Sequence, residues 1–283
     1  RYPVPSLPDD TITGTITGSA SSELQSAGAW LRLNRWCRRH GSNCQDPWIR
    51  NHLSVGGSRL DLLAGYRYYS LHEDLRIAET STWTEATEGE PPEDTVSDVT
   101  DYLISDAFDA QNDFHGGEIG LLYEHEYGDC WLEILGKVAL GSNHQVVRIN
   151  GTTETSEYQV VTYEDPDTPQ ATTDPVSGSE RGGFLAQRTN IGSYSQNRFA
   201  VVPEIRITLG WQLTERLKTT IGYSLIYWSH VVLAGEQIDH RLNPNLFPLP
   251  GADPSSGPSR PAFAFHQSDY WAQGLSLGAD YRW

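Results

Sequence analysis

The chain's strongest constraint is an alternation of apolar and polar residues with a period of two, and it is clearest in the last fifteen residues. Trp271, Leu275, Leu277, Ala279, Tyr281 and Trp283 fall on one face, interrupted by Gln273, while Ala272, Gly274, Ser276, Gly278, Asp280 and Arg282 fall on the other. Successive side chains of a strand point to opposite sides, so this segment reads as a strand with one greasy and one polar or small face. The same pattern recurs in Ala27–Leu33, Leu60–Tyr69, Gly117–Tyr127, Trp131–Gly141, Phe199–Leu213 and Leu217–Leu233. Few segments carry apolar residues at helical spacing. Seven strand candidates therefore point to an all-β chain.

The charges of these strands lie on one face. Asp61, Glu118, Glu124, Glu126, Glu133, Glu204 and Asp280 share it with Arg32, Arg67, Lys137, Arg206, Lys218 and Arg282, and His125 is the main exception on the apolar side. Alternation alone does not say whether the apolar faces turn inward, as in a soluble sandwich, or outward to lipid. Loop lengths help to decide. Gly128-Asp129 and Thr214-Glu215-Arg216 are short links, whereas roughly 78–106, 151–195 and 235–268 are long ones. Short and long links alternate, as expected of an up-and-down transmembrane β-barrel with short periplasmic turns and long extracellular loops. No apolar run reaches the length of a membrane-crossing helix, which leaves barrel strands as the way to span. Tyr127, Trp211, Tyr281 and Trp283 would mark the short-turn interface, and Tyr68, Tyr227 and Trp271 the long-loop one. Ser276, Gly278, Tyr281 and the terminal aromatic Trp283 resemble the C-terminal signal that outer-membrane barrels present to their assembly machinery.

Composition narrows the partners. With 37 acidic residues against 20 basic ones the formal charge is −17, which argues against nucleic acid as a partner. No Lys or Arg occurs between Arg76 and Lys137, a stretch with sixteen Asp and Glu, eleven of them from Glu79 to Asp113. The plain reading is a solvated acidic loop, open to a surface partner or a homo-oligomer contact. Calcium is the sharper reading, but no spaced ligand loop is present. No metal ligand set or cofactor motif is found. Cys37 and Cys44 lie close enough to form a local disulfide in an oxidising compartment, with two free thiols as the alternative. For catalysis, His115 near Glu118, His230 with Asp239 and His240, and His266 near Asp269 are the candidate groups, without a Gly-x-Ser-x-Gly or His-Glu-x-x-His motif to support them. The reading is of a non-enzyme.

The blocks RLDLLAGYRYYSLHEDLRI (59–77), NDFHGGEIGLLYEH (112–125), KVALGSNHQVVRINGTT (137–153), GGFLAQRTNIGSYSQNRFAVVPEIRITLGWQL (182–213), IGYSLIYWSHVV (221–232) and DYWAQGLSLGADYRW (269–283) resemble the beta-barrel porin-7 family of planctomycete-type bacteria. The resemblance implies an outer-membrane β-barrel in contact with membrane lipid, with a porin-like role assigned mainly by architecture and no catalytic residues. Members begin with further strands before the region matching 1–24. Seven strands are also an odd number, whereas bacterial single-chain barrels have an even one. Either Thr11–Gly18 adds an eighth strand, or the chain is the C-terminal part of a barrel. The expected division is an N-terminal extracellular segment, 1–24, and a barrel domain, 25–283. The function expected is a porin-like passive channel or a structural, surface-display barrel. The alternative is a soluble lectin-like sandwich that binds ligand through its loops.

Overall fold

A computed structural model describes residues 11–39, 57–88, 95–162, 171–247 and 255–282. Among them there is one antiparallel sheet. Its strands are β1 (Thr11–Arg39), β2 (Gly57–Glu88), β3 (Thr95–Tyr127), β4 (Cys130–Thr162), β5 (Ala171–Thr172), β6 (Val176–Arg181), β7 (Gly192–Gln212), β8 (Leu217–Val231) and β9 (Ser268–Tyr281). The order is β1-β2-β3-β4-β7-β8-β9, each strand beside its chain neighbour, with β5 and β6 paired to the far part of β4. This is the up-and-down plan expected from the alternating links.

The sheet curls into a half-barrel. Two strands lie between β2 and β7, a separation of about 14 Å in a flat sheet. Yet the Tyr69 hydroxyl on β2 donates to Glu204 on β7 at 3.3 Å. Tyr69 also meets the Trp228 ring on β8 at 5.8 Å between centroids, across one strand more.

The apolar faces point outward. Leu31, Ile119, Leu275 and Leu277 are 75%, 62%, 78% and 83% exposed, and Ile205, Ile207, Leu209, Ile221 and Tyr223 continue the exposed surface around the sheet. On β2 this band runs from Leu60 to Tyr68, about nine residues, the length with which a tilted strand crosses a bilayer. Above it, Ser70, Asp113, His144 and Asn197 form one polar cross-strand row. Tyr66, Tyr68, His115, Phe199, Tyr227 and Trp271 lie at that upper edge; Tyr127, Trp211 and Tyr281 lie at the lower. A lectin-like sandwich requires a second layer over the apolar face, and among the described residues none covers it.

Two expectations change. The segments 78–106 and 151–195 are largely strand, because β2, β3 and β4 run in unbroken register to Glu88, Thr95 and Thr162. Most of the acidic stretch Glu79–Asp113 therefore belongs to a blade reaching roughly 60 Å past the apolar band at about 3.3 Å per residue. Backbone pairing is satisfied there by the neighbouring strand whatever the side-chain charge. Nor does Thr11–Gly18 form an eighth strand. It continues β1, paired with Thr84–Ile77 of β2, and the described part of the expected N-terminal segment, Thr11–Leu24, lies alongside β2 above the band.

Candidate functional site on the concave face

Inward residues of neighbouring strands meet because the register places their polar positions at the same height. Near the short-turn end, buried Asp61 on β2 accepts from Arg32 on β1 and, at 2.9 Å, from Arg59 on its own strand. Arg32 also reaches Glu124 on β3 at 3.2 Å.

Halfway up the apolar band lies a second group. Arg67 of β2 forks onto Glu118 of β3 at 2.7 and 3.2 Å. Lys137 of β4 sits between Glu118 at 3.3 Å and Glu204 of β7 at 2.9 Å, and Arg206 reaches Glu204 at 3.4 Å. Arg67 and Lys137 lie 5.8 and 5.4 Å from the Trp30 ring centroid, and Arg67 lies 5.3 Å from that of Tyr69. Glycine makes this approach possible: a Cβ on Gly120 would stand 2.6 Å from Lys137 Cγ, and one on Gly65 would overlap Trp30 and the Ala29 carbonyl. Arg67, Lys137, Glu118 and Glu204 form a neutral quartet, and each member is buried or nearly so. Such a group is retained only where every charge keeps a partner.

The remaining charges expected on this face lie toward the short-turn end. Lys218 stands 5.6 Å from the Trp131 ring, Asp280 and Arg282 form an exposed pair at 3.6 Å, Glu133 is half-buried, and Glu126 is exposed. Ser276, Gly278 and Tyr281 are on β9; Trp283 lies outside the described residues. So does Cys44, which leaves the expected Cys37–Cys44 pairing beyond description, while Cys130 is a free, exposed thiol.

Two of the proposed histidine groupings do not converge. His115 faces outward, bonded to Tyr66, whereas Glu118 faces inward. Asp239 is engaged by Arg260 and by the Arg241 and Ala262 amides; His230 instead donates its backbone N–H to Asp269. Among the described residues no group of three His, Cys, Asp or Glu side chains is placed to hold a metal.

Toward the long-loop side the concave face turns apolar, which the charge pattern did not announce. Tyr69, Leu71, Phe114, Ala139, Ala200, Val202, Trp228 and Val231 form one buried cluster. Above it Phe108, Ala110, Val147 and Ile149 pack against Ala186, Val232 and Ala234. The last two begin a strap, described over 232–247 and 255–267, that follows β8 and enters the curl of the sheet. It carries short 3-10 turns at Ala234–Gln237 and Pro244–Leu246. Phe263 of the strap stacks on Tyr194 of β7 at 3.6 Å. Outside the membrane band, the Ala262 amide above all, with the Arg241 amide and Arg260, holds the Asp239 carboxyl down at about 2. Burial pushes Asp106 up although the Ala186 and Leu185 amides donate to it.

Asn112, Asn143 and Gln145, fully buried between these clusters, were not singled out by sequence reasoning. Part of the signal was present: Asn112 lies between Ala110 and Phe114 on the inward parity of β3, and Asn143 and Gln145 follow Ala139 and Gly141 and precede Val147 on that of β4.

A family described as beta barrel porin-7 matches this chain over residues 8–283. A search of curated proteins gives no match.

Proposed function

The chain belongs to the beta barrel porin-7 family, and on that premise we propose that it works as a passive, weakly ion-selective channel in a bacterial outer membrane. The observation that carries this reading is the pairing of an outward apolar band with an inward neutral quartet at the same height. Charges that cost about 2–4 kcal/mol facing lipid at midplane are confined to the side away from it. Arg67, Lys137, Glu118 and Glu204 would line the conduction path, with Arg32, Asp61, Glu124, Glu126, Glu133, Arg206, Lys218, Asp280 and Arg282 toward its periplasmic mouth. Mixed rings of both signs give little preference between cations and anions.

Outer-membrane lipid covers the apolar band in this reading, and the β9 residues Ser276, Gly278 and Tyr281 with Trp283 address the barrel-assembly machinery. Acidic positions on the blade would meet any surface partner. Channel activity is tested by inserting the folded protein into planar bilayers under a salt gradient. Unitary current steps with a reversal potential near zero are expected. Heat-modifiable, correctly folded protein that gives no steps at any voltage the bilayer withstands, with the strap intact or replaced, would refute conduction. It would favour the structural, surface-display reading, which the packed apolar clusters of the long-loop half also support.

A further inference from the structure

Between the two apolar clusters the concave wall carries three amides, and their partners are backbone groups of the strap and its entry. Asn112 Nδ2 donates to the Val232 carbonyl at 2.8 Å, and the Val232 N–H donates to Asn112 Oδ1 at 2.8 Å. This side chain thus pairs with a peptide unit as a neighbouring strand would. Asn143 and Gln145 donate to the His230 carbonyl at 2.9 and 2.6 Å. Glu73 accepts from the Ala234 N–H at 3.1 Å. Gln145 is bridged in turn by Gln196 of β7 and Gln267 at the strap's far end, at 2.8 and 3.1 Å. His230, where the chain leaves β8, has a left-handed φ of 55°, the sharp turn that directs the following residues inward.

Neighbouring inward positions are Ala110, Phe114 and Val147, so this level could have been closed by apolar packing alone. Buried amides cost free energy unless they are hydrogen-bonded. Here Val232 of the strap and the His230 carbonyl at its entry take most of their hydrogen bonds, Asn143 Oδ1 staying without a partner, and with the strap released water in an open lumen would satisfy them equally. The wall therefore accommodates two states, whereas an all-apolar wall would accommodate one. The apolar clusters set which state prevails at rest.

Resting on the channel reading, we infer that His230–Ala234 docks in cis on the Asn112–Asn143–Gln145 surface, and that the strap, through its described parts 232–247 and 255–267, is thereby a plug that closes the long-loop half of the lumen. Opening is release of the strap from these amides, with the Arg67–Glu118–Lys137–Glu204 quartet left in place.

The test uses the full chain in planar bilayers, with folding checked by heat-modifiable gel mobility. In Asn112→Leu/Asn143→Leu the Val232 peptide loses both partners and the His230 carbonyl loses one. Open probability should rise about tenfold or more. In parallel, Ala234→Cys, buried in the docked strap, should react slowly with a membrane-impermeant maleimide in the otherwise native wall and rapidly in the double variant. Peptide mass mapping distinguishes this site from the native cysteines. A third protein, with 235–266 replaced by a short Gly-Ser linker, should remain open, and it decides the matter if the double variant fails to fold. Unchanged conductance after strap replacement would overturn the plug and leave the channel standing. An open replacement beside a double variant that gates as the native protein does would overturn the amide anchor. Folded protein that conducts in no variant would overturn the channel reading itself.

Discussion

Replacing Lys137 with methionine isolates what the charged quartet does. Lys137 separates two carboxylates, Glu118 at 3.3 Å and Glu204 at 2.9 Å. At an effective dielectric of about 20, each contact carries about 5–6 kcal/mol of gross attraction, most of it offset by the desolvation of three buried charges. Removing the cation forfeits the attraction and leaves the carboxylates facing each other, relieved by Arg67, Arg206 and the Tyr69 hydroxyl. Loss of one partner from a buried ionic group typically costs about 3–5 kcal/mol. Lys137→Met should therefore lower the urea midpoint of the folded barrel clearly, and the local charge changes from zero to −1. Under a salt gradient the reversal potential should move toward the cation value. Lys137→Met/Glu204→Gln restores neutrality and should recover much of both losses, giving a large coupling in a double-mutant cycle. A single variant with native stability and native reversal potential would refute the account, because the quartet would then be neither buried in effect nor in the path of ions.

Three further outcomes follow from geometry already described. Ile207→Arg, on the lipid-facing side of β7, should cost about 2–4 kcal/mol in lipid or detergent refolding titrations, whereas Thr208→Arg on the opposite parity should cost less. Trp228→Ala, deleting the largest fully buried side chain, should cost about 3–5 kcal/mol by the same titration. Trp228→Phe should cost far less, since the indole N–H has no hydrogen-bond partner to lose. Asp239 is held at about 2 by donors present only in the folded strap, so its contribution is complete above the ordinary carboxylate value near 4. It is lost as pH falls through about 2. Protease protection of the strap should decline across that interval, and Asp239→Asn should flatten the decline.

The wall was legible because one physical rule writes it. A residue facing lipid is rarely charged, and parity carries that rule along every strand; it grouped Leu275 with Leu277 on β9 and Ile205 with Ile207 on β7, and the alternation of short and long links turned that face outward. Arg67, Glu118, Lys137 and Glu204 stood out as charges on the opposite parity, but their union into one quartet depends on register and curl, which no single strand encodes. The blade was misread as loops because the Thr, Ser, Asp and Glu of Glu79–Asp101 show no alternating apolar face. A paired strand in water needs none when neighbouring strands satisfy its backbone. The plug was missed for a related reason. Phe108, Val147 and Ile149 break the polar character of the inward face, yet only the fold shows that Val232 and Ala234 come back to cover them.

The uninterrupted ladder between β3 and β4 also fixes an order of assembly. Pairing begins at Tyr127 with Cys130 across Gly128-Asp129 and stays in register to Thr95 with Thr162. Zippered outward from that turn, each new pair closes only a small loop against the pair already formed. The cost of ordering a segment this long is then met residue by residue rather than in one long-range encounter. The blade tip, most distant from the membrane, is the last part to zip and the first to fray, while the turn that nucleates it stays at the opposite end of the molecule.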